Sequence, residues 1–154
     1  MYVFDTSPLS NLFRHFYRRR FPTLWEQFDA LVADGAVTST REVRRELDFY
    51  AHVDDIWVRD NSDIFTTPTA DEAQVIRKIY AVPHFQQNIE MKKIQKGGLN
   101  ADPFVVSKAY ANNGIVVTLE SAPPHAAKIP NICGHLGVRC LNLEEFMEEE
   151  DWQF

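Results

Sequence analysis

The sequence has few of the features that secreted or membrane-spanning proteins need. Only two of its 154 residues are cysteines, which is too few for a disulfide framework and fits a reducing cytoplasm. No apolar run approaches the roughly 20 residues that cross a bilayer. The first predicted strand has no basic-then-apolar leader before it, so we expect neither a signal peptide nor a membrane anchor.

Two other absences concern metals and charge. Cys133, His135 and Cys140 do not follow the spacing of any standard zinc module, so we interpret both cysteines as buried or inert thiols. No basic residue follows Arg139, and the six acids after it equal the whole net charge of −6. We interpret that acidic segment as a solvated tail, with docking of a basic partner as the alternative.

The rest of the composition is that of one globular domain, with 45% hydrophobic and 25% charged residues. A chain of this length buries one substantial core but is too short for two ordinary domains. Arginines alternate with aromatics over residues 14–20 and recur at Arg41, Arg44 and Arg45. Such clusters suit a nucleic-acid backbone, although a solvated helical face is the commoner explanation for either cluster alone.

Long helical stretches separate the predicted strands. We predict strands at 2–4, 36–39, 115–119 and 138–141, with a brief extended piece at 65–68. We predict helices at 8–20, 23–33, 41–50, 70–82, 85–96, 102–111 and 143–150, and at 121–135 a loop that leaves room for a helical turn. Crossover connections of this length predict one α/β domain, a three-layer α/β/α arrangement around a mainly parallel sheet, with a helical insert at 69–98.

Four acids fall at the edge of that sheet where the strands end. Asp5 ends the first strand, Glu46 lies on the helix after the second, Asp102 begins a helix, and Glu120 ends the third strand. Each has a structural alternative, since Asp5 and Asp102 could cap helices. Together, acids in one crevice repel each other and require a cation. Oxygen ligands suit Mg²⁺ or Mn²⁺, which with nearby arginines indicates phosphodiester hydrolysis.

The ordered motifs resemble those of PIN-domain nucleases. The matching stretches are Phe4-Asp5-Thr6-Ser7, Val43-x-x-Glu46-Leu47, Asp102-x-x-x-Val106 and Gly114-Ile-Val-Val-Thr-x-Glu120. The resemblance implies a compact α/β/α fold with a metal-dependent ribonuclease site. In bacteria such proteins are commonly VapC-like toxins, which often dimerise and are inhibited by an antitoxin. Two departures stand out: Glu120 replaces the usual Asp, and the 69–98 insert is longer than in small toxins.

The resemblance also implies a role for each residue. Asp5, Asp102 and Glu120 would hold Mg²⁺ or Mn²⁺, and Glu46 would complete the site or position water. Thr6 and Thr118 would orient these carboxylates. RNA-binding candidates are Arg14, Arg18, Arg41 and Arg45.

Two other functions compete with this one. A phosphatase with Asp5 as nucleophile would usually need a second acid at position 7, where Ser7 stands. A catalytically inert PIN-like module would bind RNA or protein without bound metal.

Overall fold

A single parallel sheet organises the chain. The computed structural model describes the backbone of residues 1–154 and every side chain except that of Lys96. Across this backbone the five strands follow the order β3-β2-β1-β4-β5, every pair parallel. The strands are β1 Tyr2–Phe4, β2 Val37–Thr40, β3 Phe65–Thr66, β4 Ile115–Val117 and β5 Cys140–Leu141. The predicted α/β class is confirmed.

Helices connect the strands and cover both faces of the sheet. They are α1 Thr6–His15, α2 Pro22–Ala33, α3 Arg41–Leu47, α4 Asp55–Asp60, α5 Ala70–Ala81, α6 Gln86–Lys96, α7 Asp102–Ala111, α8 Ile129–Leu136 and α9 Leu143–Glu149. Among these described helices, none combines the length and the apolar character needed to cross a membrane.

β1 is the central strand because all its residues are apolar and buried. Val3 pairs with Thr38 of β2 on one side and with Val116 of β4 on the other. The Phe4 ring meets Phe146 of α9 edge-on, with 5.0 Å between centroids. This contact shows that α9 packs on the core, so the expectation of a solvated acidic tail was wrong. Its apolar residues are spaced to face inward while its acids remain outside.

The start of α1 differs from the prediction. The helix begins at Thr6, not Pro8, and Asp5 holds the cap position without a side-chain capping hydrogen bond. Ser7 is therefore no cap. The helix also ends at His15, well before residue 20. Thr40 does cap α3, accepting a hydrogen bond from the Val43 amide at 3.3 Å.

The alternative role of Asp102 as a helix cap is not observed, because Ala101 holds the cap position and Asp102 is the first helical residue. Further along, β4 ends at Val117, so Glu120 lies three residues beyond the strand rather than at its end. The predicted loop at 121–135 contains α8, whose first turn includes Pro130.

A buried lysine joins α7 to the sheet. The Lys108 ammonium donates to Thr38 Oγ1 at 2.7 Å, to the Ser39 carbonyl at 2.9 Å and to Thr66 Oγ1 at 2.6 Å. Burial lowers its pKa. Its three acceptors lie on β2 and on β3, the short edge strand, so one cation stabilises the attachment of that edge.

We expect Lys108→Met to lower the free energy of unfolding by about 3 kcal/mol, because buried acceptors lose their donor. Urea unfolding followed by circular dichroism measures the change. Lys78→Met is the matched control, since Lys78 is exposed on α5 and its replacement should leave the midpoint unchanged. Equal midpoints for both variants would contradict the assigned role.

Candidate active site

The structure brings the four predicted acids to one edge of the sheet. Asp5 follows β1, Glu46 lies in α3, Asp102 opens α7 and Glu120 follows β4. The first three are at most 4% exposed, and the Glu120 side chain is 22% exposed. Carboxylates are rarely buried to this degree without a partner, so their contacts decide what the site can do.

Hydroxyl groups orient Asp5. Its Oδ2 accepts a hydrogen bond from Thr118 Oγ1 at 2.9 Å and a longer one from Ser7 Oγ at 3.3 Å. The Ser7 hydroxyl in turn accepts from the Leu119 amide at 3.0 Å. These contacts join Asp5 to the residues that follow β4. Ser7 thus has a structural role at the position where the phosphatase hypothesis required an acid.

Glu46 joins α3 to two other elements. Its Oε1 accepts from Thr6 Oγ1 and its Oε2 from the Ala101 amide, both at 2.8 Å. Ala101 directly precedes Asp102, so this contact fixes the start of α7 beside Glu46. Thr6 and Thr118 therefore each hold one of the predicted acids.

A cation of the protein itself lies among the acids. The Lys92 ammonium is 3.4 Å from Asp102 Oδ1 and 3.5 Å from Glu120 Oε1, with its side chain only 8% exposed. The second oxygen of Glu120 accepts a hydrogen bond from the Ile129 amide at the start of α8, at 3.0 Å. The Lys92 ammonium thus lies between two carboxylates, at the position that a metal ion bound to both of them would take.

An amide completes the surroundings of Asp102. The Asn88 Nδ2 donates to Asp102 Oδ2 at 2.7 Å and to the Ala127 carbonyl at 3.0 Å. Sequence reasoning missed both Asn88 and Lys92. The only available signal was their four-residue separation, which places them on one face of α6; their partners come from distant parts of the chain.

Two of the carboxylates, those of Asp5 and Asp102, resist ionisation because they are buried. Burial raises the pKa of Asp5 to about 7, and repulsion from Asp102 and Glu120 adds to the effect. Burial likewise raises the pKa of Asp102 to about 6, against the attraction of Lys92. Burial alone would lower the pKa of the Lys92 ammonium, but Asp102 and Glu120 outweigh it and the pKa is raised. Four carboxylates face one ammonium, so the site retains excess negative charge.

The chemical nature of these groups fits a hard divalent cation, because carboxylates are the usual protein ligands of Mg²⁺. Their present placement does not form a finished cage: among the described side chains, no three carboxylate, imidazole or thiolate groups are arranged to hold an ion. The same statement covers Cys133 and Cys140, which are free thiols.

The predicted arginines lie in different places. Arg41 and Arg45 border a cavity that also contains Asn100, two residues before Asp102. Arg18 is instead held by Asp29 at 2.8 Å and lies over the Trp25 ring. Arg14, near the end of α1, is eight residues and so about 12 Å along the helix from Thr6. Of the four candidate arginines, Arg41 and Arg45 are the two that lie on the same helix as one of the acids, Glu46.

Residues 2–154 match the model of a protein family described as a domain of unknown function, DUF4411. The match covers nearly the whole chain, and the chain therefore belongs to that family. Among proteins with curated functions, none shows significant similarity to it.

The buried acids predict a specific pH dependence of stability. Because the pKa values of Asp5 and Asp102 lie above the ordinary 3.8, the folded state holds protons that the unfolded state has lost. The free energy of unfolding should therefore fall as the pH rises from about 4 to about 7. Lys92→Met should steepen this fall, because it removes the cation that opposes the repulsion.

Urea unfolding at pH 5 and pH 8 measures both effects. Lys93→Met is the matched control, since the neighbouring Lys93 side chain is 61% exposed and its loss should leave the pH dependence unchanged. A Lys92→Met variant that unfolds like the wild type at pH 8 would show that Lys92 does not neutralise the acids.

Proposed function

We propose that this DUF4411 protein is a metal-dependent endoribonuclease with a PIN-like active site. The observation that carries the proposal is the set of acids at the carboxyl edge of the sheet, buried against one another with excess negative charge. A protein gains no stability from such repulsion. Unfavourable charge concentrated in one crevice is typical of a site that binds a cation or substrate.

Asp5, Asp102 and Glu120 would hold Mg²⁺ or Mn²⁺, with Glu46 completing the site or positioning water. Such an ion supplies Lewis-acid chemistry, activating water and neutralising the charge of a phosphodiester. Thr118 orients Asp5 and Thr6 orients Glu46 through their hydroxyl groups. Lys92 sits on a flexible four-carbon stem, so its ammonium can leave Asp102 and Glu120 when a metal ion enters.

A path for RNA leads past Glu46. A cavity of about 230 Å³ lies between Glu46, Phe49, Tyr50, Gln95 and Leu99. Phe49 is 78% exposed, which is unusual for a phenylalanine and suits stacking with an unpaired base. Arg41 and Arg45 lie on the same helix as Glu46 and would hold the backbone, whereas the contacts of Arg18 leave that residue out of the proposed RNA surface.

The biological part of the proposal follows from the PIN resemblance. We infer a toxin that acts on RNA in the cytoplasm, is inhibited by a cognate antitoxin protein and forms a homodimer. The free thiols of Cys133 and Cys140 support a reducing compartment. Apolar side chains such as Ile56 and Ile94, which are 64% and 87% exposed, offer surface for protein contacts.

A second function is favoured by one specific observation. Both oxygens of Asp102 and both of Glu120 already contact donors of the chain: Lys92, Asn88 and the Ile129 amide. A site in which the chain's own donors already occupy these carboxylate oxygens is what a catalytically inert PIN-like module that binds RNA or protein would contain. The two proposed functions differ in metal binding, which the nuclease requires and the inert module lacks.

We expect the wild type to bind Mn²⁺ and to cleave RNA only when Mg²⁺ or Mn²⁺ is present. In the double variant Asp5→Asn/Asp102→Asn, the affinity for Mn²⁺ and the rate of RNA cleavage should each fall by more than about 100-fold, because the carboxylate ligands are lost. The Asp5→Asn variant alone should be inactive yet as stable as the wild type or more so, since it removes a buried charge and keeps an oxygen for Thr118. Calorimetry, an RNA cleavage assay and urea unfolding measure the three quantities.

Asp63→Asn is the matched control, because Asp63 is exposed and far along the chain from the four acids. It should bind Mn²⁺ and cleave RNA like the wild type. If the wild type binds no Mn²⁺ at millimolar concentration, even with RNA present, the protein is a catalytically inert module and not a nuclease. If Asp5→Asn does not fold, Asp5 has a structural role.

A further inference from the structure

A second cavity adjoins the acid site and has a different chemical character. We call it the α3 cavity; its volume is about 370 Å³, within the range of small-molecule sites. Its principal lining residues are Arg41, Glu42, Arg45, Tyr80, Asn100 and Phe104. It thus combines two cations, a carboxylate and two aromatic rings.

The carboxylate in this cavity has an unused oxygen. Glu42 is buried, and its Oε1 accepts from Arg41 Nη2 at 2.9 Å. Its Oε2 is buried as well and has no hydrogen-bond partner among the described residues. A buried charged acceptor without a donor is costly, because its solvation is lost without replacement. A ligand with an N–H group would supply the missing bond once a rotation of the Glu42 side chain brought Oε2 to the cavity surface.

Hydrogen bonds connect the α3 cavity to the acid site. Asn100 donates from Nδ2 to Asn88 Oδ1 at 2.6 Å and to the Tyr80 hydroxyl at 3.2 Å. Asn88 then donates to Asp102 at 2.7 Å. The cavity is thus linked to the Asp102 carboxylate through the side-chain amides of Asn100 and Asn88.

We propose that the α3 cavity binds one nucleotide of the RNA next to the scissile phosphate, with Glu42 reading its base. The base N–H would donate to Glu42 Oε2, and Arg45 would pair with the flanking phosphate. The Tyr80 and Phe104 rings would provide apolar contact for the base. This inference rests on the proposed ribonuclease function, because it takes the acid site as the point of cleavage.

The cavity favours a nucleotide over a basic side chain of a protein partner. An arginine or lysine could donate to Glu42, but Arg41 and Arg45 would repel its charge. A nucleotide carries both an N–H donor and a negative phosphate, so it complements both kinds of group. Guanine presents adjacent ring and amino N–H donors, and we expect it to bind most tightly.

Binding of nucleoside monophosphates tests the subsite without metal or cleavage. Calorimetry should show that the wild type binds GMP more tightly than UMP. Glu42→Gln should weaken GMP binding about tenfold and remove the preference, because an amide is a weaker acceptor and turns donor atoms toward the base. Arg45→Ala should weaken all nucleotides alike, through the shared phosphate. Glu26→Gln, an exposed substitution on α2, should change nothing.

Several outcomes would overturn the subsite. One is GMP affinity unchanged in Glu42→Gln while thermal unfolding shows that the variant is folded. Another is no nucleotide binding at millimolar concentration. A third is binding of a tri-arginine peptide that depends on Glu42 in the absence of nucleotide binding, which would assign the α3 cavity to a protein partner.

Cleavage assays separate this inference from the function on which it rests. If the wild type cleaves RNA and Glu42→Gln cleaves it with the same sequence preference, the subsite is overturned but the nuclease function is not. Glu42-dependent GMP binding in a protein that cleaves no RNA would overturn the nuclease function and leave a nucleotide-binding module.

Discussion

Repulsion between buried carboxylates is the constraint on which the rest of this structure depends. Asp5, Glu46 and Asp102 are almost completely buried, and the raised pKa values of Asp5 and Asp102 show that ionising them together is unfavourable. The surrounding protein must therefore supply compensating donors. Lys92 and Asn88 of α6, the threonine hydroxyls and two backbone amides do so, from several segments of the chain.

The helical insert has a function in this arrangement. α6 carries both Asn88 and Lys92 to the acids, and so it closes one side of the crevice instead of forming a separate surface. The same helix contributes Ile89 to the α3 cavity. A segment that looks like an addition to a small α/β fold thereby contacts the acid site and the adjoining cavity at once.

Much of the frame followed from sequence patterns. Strong β-formers at 2–4 and 115–117, with long helical connections, indicated a parallel sheet, and the edge rule placed the four acids at one end of it. Element ends were harder to predict. α1 begins at Thr6, and the preceding residue, Asp5, accepts a hydrogen bond from Thr118, 113 residues away. No local sequence pattern contains that contact.

Sequence patterns were enough to predict the α/β class and the edge of the sheet at which the acids lie, because hydrophobic periodicity and strand ends are local properties. Three features could be seen only in the folded structure. Lys92 lies among the acids, Lys108 hydrogen-bonds the edge strand of the sheet, and one oxygen of Glu42 has no donor among the described residues. Those facts arise from side chains that meet across long stretches of chain, and the solvation and charge of each depend on the neighbours that folding provides.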